Sequence, residues 1–485
     1  MLIFNKDNIL EALEKQIMKF VDIIKNLSYS FSVNLFSALI SILMIFLLPK
    51  VMSVEEYGAW QLYLFCLSYV GFFPLGWIDG IYLRYGGKKY NELDKNVFAG
   101  QFYALAFVEM VVALVFIFYA KFGVEEQFNS DVIKTVSIVG VFVILTAFSS
   151  FILQITNRIK DYAKLVIYER ALFFFLILAY VAMGFSGYKG LLFISLATRF
   201  LAFIFGCFLV KEIVCSKVTG FATTFGEMHA NISAGIKLMF ANIAGMLLIG
   251  IIRFGISQEW DVVTFGKVSL TLGVSNFMIV FISAVSVVLF PILKRINQER
   301  LPEIYIVLRN CLSVLLLGLL IFYYPLKSLL IIWLPKYADS LIYMAVLLPV
   351  CLFESKVSML INTYLKSLRQ EKLMLRINWI AVIVSVSTTM ITVWLLHNLE
   401  LAIMSIVLVF AFRCVLAEYF LSELLKIELR KDILLELGMV CLFVTVSWFI
   451  DSWLCTLIYS CGYAIYLFVK KDDIGALMKT MREVI

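Results

Sequence analysis

The sequence predicts an all-α integral membrane protein with about fourteen transmembrane helices, organised as two parallel-repeat six-helix lobes plus two extra C-terminal helices. Three observations lead to this fold class. Of the 485 residues, 62% are hydrophobic and only 15% are charged, whereas soluble domains are about half apolar and about a quarter charged. Apolar runs long enough to cross a bilayer recur along the chain, and the chain matches itself at a fixed offset.

The apolar runs divide the chain into fourteen predicted spans. Only Asp451 separates the last two runs, so a re-entrant hairpin is an alternative to two separate spans there. The predicted spans cover residues 27–48, 58–82, 97–120, 134–156, 162–184, 190–214, 230–254, 266–291, 303–324, 338–366, 374–395, 399–424, 433–450 and 452–470.

The loops between the spans predict the orientation. When the amino terminus is placed inside, the inner loops carry most of the Lys and Arg residues. Basic loops stay in the cytoplasm, so both termini are predicted to be cytoplasmic. Residues 1–26 have apolar residues at helical spacing with lysines between them, which predicts an amphipathic helix on the inner membrane surface. A start at Met18, with the preceding residues weakly structured, is an equally good interpretation.

An internal repeat relates the two halves of the chain, and the same shift places spans 1–6 on spans 7–12. Spans 1 and 7 run in the same direction, so the repeat is parallel and a substrate cavity is expected between the lobes. Three short matches share an offset of 208 residues, pairing Asn34 with Asn242, Tyr57-Gly58 with Phe265-Gly266, and Lys164 with Lys372. The predicted domains are an amphipathic segment (1–26), an N-lobe (27–214), an inter-lobe linker (215–229), a C-lobe (230–424), and the two extra helices with a cytoplasmic tail (425–485).

Polar residues inside the first span of each lobe indicate a hydrated cavity. In span 1 they lie on one helical face, because they recur at three- or four-residue spacing. Ordinary helix–helix packing, in which Ser and Gly are common, is the alternative interpretation. The candidate lining residues are Asn34, Ser37 and Ser41 in span 1 and Asn242 in span 7.

Charged residues inside the spans indicate a functional site more strongly than the polar residues do, because each charge is costly in hydrocarbon. The cations are predicted to converge on an anionic group of a substrate, and the carboxylates to balance charge or carry a coupling proton. Structural ion pairs are the alternative, such as Arg413 with Glu418 or Glu109, and Glu169 with Arg170. The candidate cations are Arg84, Arg199, Arg253, Lys356 and Arg413, and the candidate carboxylates are Asp79, Glu109 and Glu354.

Several classes of protein are disfavoured by what the sequence lacks. It contains no phosphate-binding loop, no G-x-S-x-G or H-E-x-x-H motif, no C-x-x-C and only two histidines. The sequence therefore predicts no catalytic residues, no cofactor and no metal site. The basic residues lie in short loops between apolar runs, which argues against nucleic acid as a partner.

Short motifs resemble one family of membrane transporters. The run Glu56-Tyr57-Gly58-Ala59-Trp60 resembles the first outer loop of the polysaccharide-unit (Wzx-type) flippases of the multidrug/oligosaccharidyl-lipid/polysaccharide exporter superfamily. Residues 154–162 and 366–370 resemble the equivalent turns of its two lobes. At Ile252-Arg253 the sequence keeps the arginine of the family's Asp-Arg pair and lacks the aspartate.

The resemblance implies a flippase of the bacterial cytoplasmic membrane. Its substrate would be an undecaprenyl-diphosphate-type lipid-linked oligosaccharide for O-antigen, capsule or exopolysaccharide synthesis, moved by alternating access. Membrane lipids and other polysaccharide-assembly membrane proteins are the further partners that it implies. A cation-coupled drug or metabolite antiporter of the same superfamily, a membrane glycan polymerase and a non-transporting scaffold remain as alternatives.

Overall fold

The computed structural model describes Tyr29 and residues 32–124, 126–275 and 298–471. The regular segments among these residues are all helical, and the chain is a multi-pass membrane protein. The predicted amphipathic segment, residues 1–26, and the tail beyond residue 471 lie outside the described residues.

Each predicted span has a helix at its position. Within the described ranges, eleven helices are long and apolar enough to cross a membrane, a bent pair makes up to twelve, and two further apolar stretches have fewer described residues. The prediction of an all-α membrane fold is thus confirmed, and the count of about fourteen is roughly consistent with it. The helices are α1 (Ser32–Val51), α2 (Val54–Phe72 with Trp77–Tyr85), α3 (Lys95–Phe122), α4 (Gln127–Ile155), α5 (Ile159–Ala182), α6 (Tyr188–Leu209), α7 (Phe221–Glu259), α8 (Val262–Ser275), α9 (Leu301–Trp333), α10 (Ser340–Ser367), α11 (Glu371–Leu395), α12 (Leu399–Leu425), α13 (Arg430–Phe449) and α14 (Trp453–Val469).

Helix α2 is bent where the sequence predicts one continuous span. Its two halves meet at 51°. Pro74 lacks an amide hydrogen, and the next two residues, Leu75 and Gly76, have φ values of +53° and +79°. A proline followed by two left-handed residues cannot continue a helix. Hydropathy misses the bend because all the residues around it are apolar.

Helix α7 is longer than its predicted span of 230–254. It begins at Phe221, inside the segment predicted as the inter-lobe linker, and runs for 39 residues to Glu259. Hydropathy reports only the apolar part of a helix. The first turns of α7 carry Glu227 and His229, which the apolar pattern excludes.

Helix α10 is the most buried span, with 89% of its most apolar window inside the protein. It is irregular: Pro349 lies in its middle, and a π-helical stretch covers Lys356–Ile361. Such π-helical turns often occur at functional sites. Lys356 is the first residue of this stretch, and Glu354 lies two residues before it. Both are candidate site residues predicted from the sequence.

The chain forms two compact units. The first contains the described residues up to Met44 together with Tyr63–Met239, and the second contains Ile45–Leu62 together with the described residues from Phe240 onward. Helices α3 to α6 lie in the first unit, and α8 to α14 lie in the second. The predicted lobe boundaries at 27–214 and 230–424 stay a prediction.

Candidate functional site

In the first unit, Arg84 joins the second half of α2 to the beginning of α7. Its Nη1 donates to Glu227 Oε2 at 2.8 Å and to Asn231 Oδ1 at 2.6 Å. Tyr85 donates its hydroxyl to the same Glu227 oxygen at 2.8 Å. The Arg84 side chain is 31% exposed. Arg84 is therefore held in place by its neighbours while part of its side chain stays accessible.

A buried amide pair continues this network onto α3. Gln101 Oε1 accepts from Asn231 Nδ2 at 2.5 Å and from Trp77 Nε1 at 3.1 Å. The backbones can approach this closely because Gly80 packs against Asn231. A Cβ atom at position 80 would lie 1.8 Å from the Asn231 carbonyl oxygen. Sequence reasoning missed Gln101, Asn231 and Glu227, although all three are polar residues within or beside apolar runs.

Arg199 in α6 forms an ion pair with Glu169 in α5. The sequence had suggested an ion pair between Glu169 and its neighbour Arg170 instead. Adjacent residues point about 100° apart on a helix, so a partner on the facing helix is better placed. Arg199 is 22% exposed and Glu169 13% exposed, so this pair is largely withdrawn from solvent and lipid.

The two carboxylates predicted in the first unit have no ion pair or hydrogen bond among the described residues. Asp79 is half-buried. Glu109 is only 2% exposed, and its Oε1 atom has no hydrogen-bond partner in the described part of the chain. The polar residues of α1 are more accessible: Asn34 and Ser41 are exposed and Ser37 is half-buried. Ser41 Oγ donates to the Ser37 carbonyl at 2.9 Å.

In the second unit, the structure brings together two of the predicted site residues. Arg413 in α12 donates to Glu354 in α10 at 2.7 Å and to Asn378 in α11 at 3.0 Å. Arg413 is 3% exposed. The sequence offered Glu418 or Glu109 as structural partners of Arg413. The observed partner is Glu354, because depth along a span does not reveal which helices are neighbours.

Lys356 belongs to a buried group of four charges, beside which Asp432 pairs with Arg309 and Lys470. Its Nζ lies 2.8 Å from Glu418 Oε1 and 2.5 Å from Glu436 Oε2. Arg309 lies 2.8 Å from Glu418 and 2.9 Å from Glu436, although the second contact is misaligned for a hydrogen bond. The four side chains are at most 4% exposed. Two cations and two carboxylates balance, so the cluster holds α9, α10, α12 and α13 together.

Sequence reasoning missed Arg309 and Glu436. The signal was available, since each is a charged residue inside a predicted span. A buried ion pair gives little net stability, but removing one partner leaves an unpaired charge and costs about 3–5 kcal/mol. The charge of Lys356 is balanced in this arrangement and is not presented to a ligand.

Arg253 in α7 has a different environment. Its Nη2 donates to Ser269 Oγ in α8 at 2.9 Å, and its guanidinium carbon lies 5.1 Å from the centre of the Phe265 ring. The side chain is half-buried, and Asn242, about three turns earlier in α7, is exposed. Arg253 is thus a half-buried cation stacked on an aromatic ring, and guanidinium groups are suited to binding anions.

Helices α13 and α14 are firmly attached to α9. Tyr459 and Tyr463 of α14 donate their hydroxyls to the carbonyls of Leu317 and Val314 at 2.9 and 2.8 Å. Between the two helices lies an open apolar groove of about 550 Å³. Six of the residues that line it are Lys431, Leu434, Gly438, Gly462, Ile465 and Val469.

Among the residues that the structure describes, no group of three His, Cys, Asp or Glu side chains is placed to hold a metal ion. No protein-family model matches the chain, and no curated protein matches it.

Solved structures do match the chain. The lipid II flippase MurJ in an inward-closed conformation superposes with a TM-score of 0.65 at 14% identity, covering 92% of this chain and 99% of the flippase. A multidrug resistance MATE family transporter of the MOP superfamily, in its inward-facing conformation, superposes with a TM-score of 0.57 at 11% identity, over 86% of this chain and 96% of the transporter. An outward-facing MATE transporter gives 0.50 at 12% identity, over 83% and 95%. The chain therefore shares the fold of a lipid II flippase and of multidrug transporters of the MOP superfamily.

Proposed function

We propose that this protein is a flippase that moves a polyprenyl-diphosphate-linked oligosaccharide across the bacterial cytoplasmic membrane by alternating access, for the synthesis of a cell-surface polysaccharide. Both termini would be cytoplasmic. The observation that carries the proposal is the fold likeness to the lipid II flippase, which covers 99% of that chain. The short motifs at residues 56–60, 154–162 and 366–370 point to the same class of substrate.

The proposal assigns the diphosphate to cations that stay partly accessible. Arg253 is the first candidate in the second unit, because it is a half-buried cation inside a span and its guanidinium lies over the Phe265 ring. Arg84 is the candidate in the first unit, with 31% of its side chain exposed. Guanidinium groups bind phosphate through two parallel hydrogen bonds, which suits both residues to this role. Arg413 and Lys356 would instead keep the second unit rigid.

The polyprenyl tail would lie in the groove between α13 and α14. The groove is apolar and open, and its volume of about 550 Å³ is enough for part of the tail. Lys431 stands at one end of it, in the first turn of α13, where its ammonium would meet an anionic head group. The hydrophobic effect would retain the tail at about 0.8 kcal/mol for each buried methylene.

A drug or metabolite antiporter is the second candidate, supported by the likeness to MATE transporters at TM-scores of 0.57 and 0.50. The lower superposition scores and the smaller coverage of this chain favour the flippase. Efflux of a fluorescent cationic drug from liposomes, without movement of a lipid-linked oligosaccharide, would reverse that preference.

The test uses purified protein in liposomes that carry a fluorescent polyprenyl-diphosphate oligosaccharide. Access of the glycan to an external sugar-modifying reagent reports its movement between leaflets. We expect protein-dependent flipping that falls about tenfold or more in Arg253→Ala, since a charge-assisted hydrogen bond contributes about 1.5–3 kcal/mol. Arg253→Lys should retain part of the rate.

Arg376→Ala is the matched control, because Arg376 is an exposed arginine of α11. Normal flipping by Arg253→Ala would remove Arg253 from the site and leave the function intact. No flipping by the wild-type protein, under imposed proton and sodium gradients as well, would refute the proposed function.

A further inference from the structure

Glu109 is a buried carboxylate near the middle of α3, a 28-residue span. Only 2% of the residue is exposed, and its Oε1 atom has no hydrogen-bond partner among the described residues. An ionised carboxylate in this position would be withdrawn from bulk water and would have no counter-ion among the described residues, which is expensive in an apolar medium. A neutral carboxyl group has no such cost.

Helix α4 brings no charged group to the level of Glu109. The Phe102 and Phe148 rings lie 5.5 Å apart, and Ser130 Oγ donates to the Ala120 carbonyl at 2.8 Å. These contacts set an antiparallel register that places Glu109 beside about residue 141. The charged residues of α4 are Asp131 and Lys134, and the nearer of them is seven residues from that level, about 10 Å along the axis.

The other neighbours are also remote or face elsewhere. On the short helix Lys211–Val214, Glu212 pairs with Lys95, fourteen residues before Glu109 and about 21 Å along the helix. On α2 the nearest charged group is Asp79. Trp77 contacts α3 through Gln101, and Asp79 is about 200° around the helix from Trp77, so it points away from α3.

A polar route approaches Glu109 from the predicted cytoplasmic side. Gln101 lies on the same face of α3, two turns earlier, about 12 Å along the axis. Its Nε2 atom is buried and has no hydrogen-bond partner in the described part of the chain. Its Oε1 atom accepts from Asn231, which accepts from Arg84, the partner of Glu227. The Glu227 side chain is 26% exposed.

The hydroxyl of Thr146 in α4 is also buried and without a hydrogen-bond partner among the described residues. The register between the two helices places it level with about residue 104, between Gln101 and Glu109. Buried polar atoms that lack protein partners are the usual positions of internal water. Water molecules at Gln101 and Thr146 would extend the route to the carboxyl group.

We propose that Glu109 is a proton-binding site that exchanges protons with the cytoplasm through water molecules held along Gln101, Asn231, Arg84 and Glu227, and that this proton couples to transport. On binding, a carboxylate oxygen forms an O–H bond with the proton of a hydronium ion, which becomes water. On release the same bond breaks to water. A conformation that buries Glu109 favours the protonated form, and one that hydrates it favours the ionised form, so protonation and conformation are linked. Only the coupling step rests on the proposed transport function.

The proton-binding step is tested by reaction with a hydrophobic carbodiimide, which modifies protonated carboxyl groups in apolar surroundings. Peptide mass spectrometry locates the modified residue. We expect modification of Glu109, faster at mildly acidic than at mildly alkaline pH and lost in Glu109→Gln. Glu418 is the matched control: it is 1% exposed but lies between Arg309 and Lys356, so it stays ionised and unmodified. An unmodified Glu109, a rate independent of pH, or equal modification of Glu418 would overturn the assignment.

The coupling step is tested in liposomes with a pH difference across the membrane. We expect a proton gradient to accelerate flipping by the wild-type protein and Glu109→Asp, and to have no effect on Glu109→Gln, which still flips without a gradient. A gradient response retained by Glu109→Gln would exclude Glu109 from coupling. If the wild-type protein flips no lipid-linked oligosaccharide, the proposed function fails, while the carbodiimide result still decides whether Glu109 binds a proton.

Discussion

Gly58 of α2 and Gly266 of α8 lie against one another inside the second compact unit. A Cβ atom on Gly266 would lie 2.7 Å from the Gly58 Cα atom, and one on Gly58 would lie 2.0 Å from the Val262 carbonyl oxygen. The two residues are 208 positions apart, which is the offset of the predicted internal repeat. Glycines that the predicted repeat pairs are thus in contact, at a distance that leaves no room for a side chain.

The first prediction concerns this contact. Gly58→Ala should lower the thermal unfolding midpoint of the purified protein, with a cost of about 1–3 kcal/mol for the inserted methyl group. Gly245→Ala is the control, because a Cβ atom at position 245 has nothing within 4 Å. Equal midpoints for the two variants would mean that α2 and α8 are farther apart than described.

The second prediction concerns the charge cluster of α9, α10, α12 and α13. Lys356→Met should destabilise the protein by about 3–5 kcal/mol, because Glu418 and Glu436 would lose a buried cation. Adding Glu436→Gln removes one unpaired carboxylate, so the double variant should be more stable than the sum of the single changes predicts. Chemical denaturation in detergent measures both quantities. Exposed Lys366→Met is the control, and strict additivity would argue against direct contact.

The third prediction concerns the amino-terminal end of α7. Asn231→Leu leaves Gln101 and Arg84 without a shared partner, and each buried group that loses its hydrogen bond costs about 1–3 kcal/mol. The variant should unfold at a lower temperature than the wild-type protein. Asn242→Leu changes the same residue type at an exposed position of the same helix and should have little effect on stability. If the two variants are equally stable, the polar network does not hold α7 in place.

The fourth prediction concerns the groove between α13 and α14. Gly438→Phe should fill it, because a Cβ atom at position 438 has open space around it. Flipping of a lipid-linked oligosaccharide should fall, while the unfolding temperature stays close to the wild-type value. Gly71→Phe adds the same side chain at an exposed glycine of α2 that also has nothing within 4 Å of a Cβ atom, and it serves as the control. Unimpaired flipping by Gly438→Phe would place the polyprenyl tail elsewhere.

Hydropathy was sufficient to locate the helices, because a bilayer selects apolar runs of a minimum length whatever the neighbouring helices are. It was insufficient for the bend of α2, where Pro74, Leu75 and Gly76 interrupt the helix without interrupting the apolar run. It also placed the start of α7 too late, because Phe221 begins a partly polar extension.

The charged residues were likewise predicted only in part from the sequence. Their cost in hydrocarbon singled out Arg413, Glu354 and Lys356 from the sequence. Their partners depended on which helices are adjacent, and a single sequence carries no such information. Glu418 was considered for Arg413, but it accepts from Arg309 and lies beside Lys356. The sequence thus identified the charged residues inside the spans more successfully than it identified the side chains that pair with them.

The order of charges along α10 and α12 fixes how these two helices can move. Along α10 the carboxylate Glu354 comes before the cation Lys356, whereas along α12 the cation Arg413 comes before the carboxylate Glu418. The order of negative and positive charges is therefore opposite in the two helices. Sliding α10 along α12 by about one turn would bring Glu354 toward Glu418, carboxylate facing carboxylate in a medium of low polarity. Shear between these helices is therefore disfavoured, and any rearrangement of the second unit must carry α10 and α12 as a single rigid piece.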